Sequence, residues 1–117
     1  MAPAAQAADA PTVLIFGDSL SAAYGIPVDV GWVALLQRRL ETEQYPYRLV
    51  NASISGDTTA SALARLPAAL DRHRPAIVIL QLGGNDGLRG FPLQQLKRNL
   101  GSMLELVARR GGRSLLL

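Results

Sequence analysis

Short apolar runs alternate with helical patterns along most of the chain. Residues 12–16 form a continuous apolar run with β-branched members, which is typical of a strand buried on both faces. Residues 47–51 are interpreted as a second strand, residues 76–80 form the clearest apolar run in the chain, and 113–117 resembles the opening of a fourth strand. The pattern therefore predicts three strands and the start of another.

Three helical patterns separate these strands. The first follows Asp29, a predicted N-cap, and carries apolar residues at helical spacing through Leu40. The second follows the capping sequence 57–59, and Pro67 is expected to kink or restart it because proline has no N–H. The third follows Pro92 and ends at a pair of glycines. The predicted order is βαβαβα and then β.

Strict β/α alternation favours right-handed crossovers and a parallel sheet with helices on both faces. The fold class predicted is therefore α/β. The sequence stops within the last predicted strand, which would leave an apolar edge of the kind that natural domains avoid. We expect residues 11–117 to be the N-terminal portion of a single domain.

Residues 1–10 are rich in alanine and are expected to be a disordered leader remnant. Ala5-Gln6-Ala7 is a small-x-small pattern of the kind that signal peptidase cleaves, although no basic or apolar segment precedes it. We expect a periplasmic or secreted protein; an ordinary flexible terminus is the alternative. No apolar run approaches the roughly 20 residues of a transmembrane helix.

Composition and charge exclude several classes of protein. The absence of cysteine excludes a disulfide scaffold, a thiol enzyme and a cysteine zinc site. Residues 87–117 carry 6 basic and 1 acidic side chains, whereas residues 1–86 carry 6 and 8. The basic side chains lack interleaved aromatic residues and a nucleic-acid reader motif, so no nucleic-acid partner is predicted.

Small, polar, glycine-containing loops follow the first three predicted strands, at residues 17–20, 53–57 and 83–87. The carboxyl ends of parallel strands lie along one edge of a sheet, so these loops are expected to meet. Together they supply a hydroxyl from Ser19, a backbone amide from Gly56 and a carboxamide from Asn85. Acyl transfer needs a nucleophile and preorganised donors for the oxyanion, so this set predicts an ester hydrolase.

The segments 14–21, 51–58 and 82–90 resemble the first three conserved blocks of the SGNH, or GDSL, hydrolases. The similarity is greatest to bacterial periplasmic members with thioesterase, arylesterase and lysophospholipase activity, and it runs from about Pro11 to the end of the chain. It implies a flavodoxin-like three-layer sandwich, an acyl ester or thioester substrate, and neither a metal nor a cofactor.

The same resemblance implies roles for individual residues. Ser19 would be the catalytic nucleophile, and the Ser19 amide, Gly56 and Asn85 would form the oxyanion hole. The family takes its general base from a later Asp-x-x-His block, which is absent from this sequence. The only histidine, His73, precedes the third predicted strand and is expected at the opposite edge of the sheet. The missing C-terminal part of the same protein would therefore be needed as a partner.

Other residues near the loops have less definite roles. Leu88 and Phe91 lie in the segment 87–92, which has two glycines and ends at a proline; it is interpreted as a mobile lid that contacts the acyl chain or leaving group, with a plain β-to-α connector as the alternative. Asp18 is expected to form hydrogen bonds within its loop, and Asp57 and Asp86 are interpreted as helix or turn caps.

Two alternative functions remain at this point. The same blocks occur in carbohydrate acetylesterases of this family. A flavodoxin-like sheet with glycine-rich loops could instead be a non-catalytic module that binds a nucleotide or anion. The absence of a Gly-x-Gly-x-x-Gly spacing and of a P-loop lysine weakens this last interpretation.

Overall fold

The structure is a computed structural model that describes residues 10–117, so the predicted leader lies almost entirely outside the described residues. In chain order the elements are β1 (Thr12–Gly17), α1 (Ser19–Ala22), a 3₁₀ turn (Val28–Val30), α2 (Trp32–Thr42), β2 (Arg48–Asn51), α3 (Thr59–His73), β3 (Ile77–Gln81), α4 (Gly84–Leu88), α5 (Leu93–Arg109) and β4 (Arg113–Leu116).

The four strands form one parallel sheet in the order β2-β1-β3-β4. Leu14 of β1 pairs with Val50 on one side and with Val78 on the other, so β1 and β3 are the central strands. β2 lies on one side of β1, whereas β3 and β4 lie on the other, so the direction of strand addition reverses between β1 and β3. This is the arrangement of flavodoxin-like sheets. The predicted α/β fold class is confirmed.

Alternate residues of the central strands build a core on each face of the sheet. On one face Leu14, Phe16, Val78 and Leu80 pack with buried residues of α3 and α5, among them Leu66 and Met103. On the other face the strands pack against α2, with a cluster of Val13, Ile15, Ile79, Trp32, Val33 and Leu36. Helices cover both faces, and the molecule has the predicted three layers.

The helix boundaries test the predicted caps. Thr58 is the N-cap of α3, and its hydroxyl accepts from the Ser61 N–H at 3.2 Å, which confirms the capping sequence. The prediction for Asp29 was wrong, because this residue lies inside the 3₁₀ turn and Gly31 precedes α2 without a side-chain cap. The expected restart of the helix at Pro67 is not observed: helix α3 is continuous through this residue. Its packing on the sheet compensates for the one hydrogen bond that proline cannot make.

The short helices α1 and α4 directly follow the central strands β1 and β3. With four and five residues, they are too short to show an apolar periodicity in the sequence. They turn the chain sharply at the carboxyl edge of the sheet. Within residues 10–117, no helix combines the length and the apolar character that crossing a membrane requires.

Gly17 at the end of β1 is enclosed by the loops around it. A Cβ atom there would lie 2.7 Å from Ser21 Oγ, 2.8 Å from Gln81 Oε1 and 3.0 Å from the Gln81 carbonyl oxygen. One of these neighbours is backbone of the adjacent strand and cannot move aside cheaply. Only glycine therefore fits between β1 and β3 at this point.

We expect Gly17→Ala to lower the free energy of unfolding by about 1–3 kcal/mol, because the added methyl overpacks the junction of β1 and β3. Gly101→Ala is the matched control: it lies in α5 with no atom within 4 Å of the added Cβ, and should raise stability by about 0.5–1 kcal/mol. Urea denaturation of both variants tests this. An unchanged midpoint for Gly17→Ala would contradict the packing described.

Candidate active site

The loops that follow β1, β2 and β3 lie together at the carboxyl edge of the sheet. This edge includes the point between β1 and β3 where the strand order reverses, which is the usual ligand position in open α/β sheets. Hydrogen bonds join each pair of loops or the residues beside them. The three loops therefore meet, as the sequence predicted.

The loop after β1 is joined to the loop after β2 by two hydrogen bonds. The Gly17 N–H donates to Ser53 Oγ at 3.0 Å, and the Ile54 N–H donates to the Gly17 carbonyl at 3.0 Å. The second bond continues the parallel ladder past the last paired residues of β2. The backbone leading to Gly56 is thus held against the backbone leading to Ser19.

The loop after β3 is joined to the loop after β2 through a side chain. Asn85 Nδ2 donates to the Asp57 carbonyl oxygen at 2.9 Å. An amide nitrogen carries two hydrogens, so this bond fixes the orientation of the Asn85 carboxamide and leaves its second N–H free for another acceptor. Asn85 is half-buried, and Gly56 directly precedes Asp57, whose carbonyl accepts this bond.

Gln81, the last residue of β3, connects to the loop after β1. Its Oε1 accepts from Ser21 Oγ at 2.7 Å and from the Asp18 N–H at 3.4 Å. Asp18 Oδ2 in turn lies 3.8 Å from the position of a Cβ on Gly84. This role of Gln81 was not predicted from the sequence, although a polar residue that ends an otherwise apolar strand is a signal for it.

Two more side chains hold α1 in place. Trp32 Nε1 donates to Ser21 Oγ at 3.1 Å, and Asn51 Nδ2 donates to the Ser21 carbonyl at 2.8 Å. Ser21 itself is buried. The short helix therefore has contacts to α2, β2 and β3, which explains how four residues hold a defined helical conformation without an apolar face of their own.

Ser19 is the first residue of α1 and is half-buried. Asp18 is the N-cap and accepts from the Leu20 N–H through Oδ1 at 3.0 Å and from the Ser21 N–H through its carbonyl at 3.1 Å. The predicted loop role of Asp18 is confirmed. Because these acceptors take the neighbouring N–H groups, the Ser19 N–H is left at the helix start for an external acceptor.

Gly56 lies in an exposed turn between β2 and α3 with φ of +82°, a conformation that disfavours other residues. No atom lies within 4 Å of the position that a Cβ would occupy. The Asp57 N–H closes the turn on the Ile54 carbonyl at 3.2 Å. The backbone of Gly56 is therefore open to a ligand at this edge.

The carboxylates of Asp57 and Asp86 are both committed to structural contacts. Asp57 Oδ2 accepts from Arg65 Nε at 2.9 Å, and Arg65 lies over the Phe16 ring at 3.9 Å from its centroid. Asp57 was therefore wrongly expected to be a cap. Asp86 accepts from the Thr59 N–H at 2.9 Å, so it does cap a helix, but α3 rather than its own.

Leu88 and Phe91 follow Asn85 on the same edge, at the end of α4 and just beyond it. Leu88 is 86% exposed and Phe91 is 39% exposed. The Phe91 N–H donates to the Asp86 carbonyl at 3.0 Å, which ties this segment to α4. Both side chains are available for contact with a ligand bound near the three loops.

His73 is the last residue of α3 and precedes β3, so it lies at the opposite edge of the parallel sheet from Ser19. The expectation that His73 is separated from the three loops is confirmed. Among the side chains of residues 10–117, no group of three histidine, aspartate or glutamate residues is arranged to hold a metal ion.

The chain matches the model of the GDSL-like Lipase/Acylhydrolase family over residues 15–116. It is 57% identical over 112 residues to Esterase TesA of Pseudomonas aeruginosa, covering 96% of this chain and 56% of that protein. It is 47% identical over 112 residues to Thioesterase 1/protease 1/lysophospholipase L1 of Escherichia coli K12, covering 96% of this chain and 52% of that protein.

Among solved structures, AlinE4, an SGNH-hydrolase family esterase, superimposes with a TM-score of 0.86 at 39% identity, covering 92% of this chain and 58% of that one. The chain thus spans about half the length of the curated relatives it matches. The family match extends over most of the chain and includes all three loops. The chain belongs to the GDSL-like lipase/acylhydrolase family and has the SGNH-hydrolase fold.

Proposed function

We propose that the protein is a serine hydrolase that cleaves acyl esters or thioesters, with Ser19 as its nucleophile. The observation that carries this proposal is the set of hydrogen bonds that joins the three loops. These bonds hold a serine hydroxyl, a glycine amide and an anchored carboxamide at one edge of the sheet. Esterase and thioesterase relatives support the same reaction class.

In the proposed reaction, Ser19 Oγ attacks the carbonyl carbon of the substrate while its proton passes to a general base. The carbonyl oxygen becomes an oxyanion that accepts hydrogen bonds from the N–H groups of Ser19 and Gly56 and from Asn85 Nδ2. Each such donor contributes about 3 kcal/mol to stabilising the transition state. Collapse releases the alcohol or thiol, which takes the proton, and leaves an acyl group on Ser19. Water then attacks this acyl-enzyme by the same route.

The general base must approach the Ser19 hydroxyl to within about 3 Å. His73 cannot do so from the other edge of the sheet. We propose that an Asp–His pair from the C-terminal part of the same protein supplies the base, with residues 11–117 as the N-terminal portion of the domain. The 117 residues alone would then hydrolyse esters poorly, because a serine hydroxyl without its base is a weak nucleophile.

The proposed substrates are acyl esters of small aryl alcohols, acyl thioesters or lysophospholipids, with Leu88 and Phe91 contacting the acyl chain. The exposure of both side chains beside the Asn85 segment supports this assignment. A periplasmic or secreted location is part of the proposal and depends on Ala5-Gln6-Ala7, which lies outside the described residues.

We expect Ser19→Ala in the complete protein to lower kcat for an aryl ester by at least about a thousandfold, because it removes the atom that bonds to the substrate. It should also abolish labelling by a fluorophosphonate. Ser102→Ala, at an exposed position of α5, is the control and should leave both properties unchanged. Full labelling of Ser19→Ala would show that another residue is the nucleophile.

We expect Leu88→Ala and Phe91→Ala to shift the preference from long toward short acyl chains. Each methylene that loses its contact should cost about fourfold in kcat/KM, given about 0.8 kcal/mol per buried methylene. Leu35→Ala is the control, since Leu35 is 50% exposed on α2, which packs on a face of the sheet. The measurement is kcat/KM for a series of p-nitrophenyl esters; an unchanged chain-length profile would favour a plain connector.

A further inference from the structure

A buried carboxylate lies directly beside the proposed oxyanion donor Asn85. Asp86 is only 1% exposed, and the reaction proposed above does not use it. Its Oδ1 accepts from the Thr59 N–H at 2.9 Å, and its Oδ2 accepts from Thr59 Oγ1 at 2.6 Å. One side chain of α4 is thus bound twice to the first residue of α3.

A third helix completes this network. Asn99 Nδ2 of α5 donates to Thr59 Oγ1 at 3.0 Å. Since an amide nitrogen only donates, the Thr59 hydroxyl accepts from Asn99 and directs its single proton to Asp86. The direction of every hydrogen bond is therefore fixed, and the buried carboxylate has an acceptor role at both oxygens. It also lies at the N-terminus of a 15-residue helix, where negative charge is favoured.

The position of this network matters because of its neighbours along the chain. Asn85 precedes Asp86, and Gly56 lies three residues before Thr59. Asn85 Nδ2 also donates to the Asp57 carbonyl, so three hydrogen bonds join the segment 85–86 to the segment 57–59. Asp86 is the acceptor in two of these three hydrogen bonds. They set the separation and the relative orientation of the two segments that carry the proposed donors.

We propose that Asp86, together with Thr59, is a positioning residue that orients Asn85 toward the oxyanion. The proposal rests on the serine hydrolase function proposed above and deepens it. Asp86 touches neither substrate nor reacting atoms in this account and acts through Asn85. Removing its acceptor oxygen should therefore weaken stabilisation of the transition state while leaving binding of the ground-state substrate almost unchanged.

The test is a double-mutant cycle in the complete protein, with kcat and KM measured for an aryl ester. Asp86→Asn keeps the side-chain shape but presents an N–H₂ group toward a donor. We expect kcat to fall about tenfold with KM changed less than twofold, whereas Asn85→Ala lowers kcat by about 10²–10³. In the Asn85→Ala background, Asp86→Asn should lower kcat less than twofold, because the residue through which it acts is gone.

Thr59 provides a second, milder pair of variants should Asp86→Asn fail to fold. Thr59→Val removes the hydroxyl but keeps the backbone N–H bond to Asp86, and should lower kcat severalfold. Thr59→Ser restores the hydroxyl and should return kcat to within twofold of the wild type. Asp71→Asn is the matched control, because Asp71 is an exposed carboxylate of α3 on the other edge of the sheet, and its kcat should be unchanged.

Two results would overturn the inference. One is an unchanged kcat in Asp86→Asn or Thr59→Val, which together with a lower melting temperature would make Asp86 a purely structural residue. The other is the same fall in kcat with and without Asn85. Failure of the proposed function is distinguishable, because in that case Ser19→Ala would retain activity. Activity lost in Ser19→Ala but kept in Asp86→Asn would contradict only the positioning role.

Discussion

Hydrogen bonds between the loops at the carboxyl edge of the sheet hold the candidate active site together. Gly17, Ile54, Asp57 and Asn85 contribute the bonds that join the three loops, and each involves a backbone group as donor or acceptor. Without these hydrogen bonds, each loop would follow its own strand with no fixed position relative to the other two loops. Joined, they place the Ser19 hydroxyl and the N–H groups of Gly56 and Asn85 along one edge, and the proposed oxyanion hole depends on this placement.

The relative positions of the loops depend on the buried sheet from which they extend. β1 and β3 are buried on both faces, and their parallel register fixes where each loop begins. Side chains then set the fine geometry: Gln81 and Ser21 hold α1, while Asp86 and Thr59 hold α4. Many polar side chains at this edge therefore hold the segments that carry the proposed donors, which is how a preorganised site is built.

The sequence predicted the strands, the sheet and the three loops because apolar runs and helical periodicity are local signals. Ser19, Gly56 and Asn85 were predicted as site residues from the same loops, and the structure brings those loops together. Local signals also misled, since Asp29 lies in a short turn and Asp57 pairs with Arg65 eight residues away. The contacts of Gln81 and Asp86 could not be predicted, because they join residues 60 and 27 positions apart whose meeting depends on the assembled fold.

The proposed function depends most on three donors that reach a common oxygen atom. Its most direct test is a crystal structure of the complete protein after reaction with a phosphonate ester, whose phosphoryl oxygen stands in for the oxyanion. We predict phosphorus bonded to Ser19 Oγ and that oxygen at about 2.7–3.1 Å from the Ser19 and Gly56 nitrogens and from Asn85 Nδ2. A phosphonyl oxygen directed to solvent, with these three nitrogens out of hydrogen-bonding range, would contradict the proposed oxyanion hole.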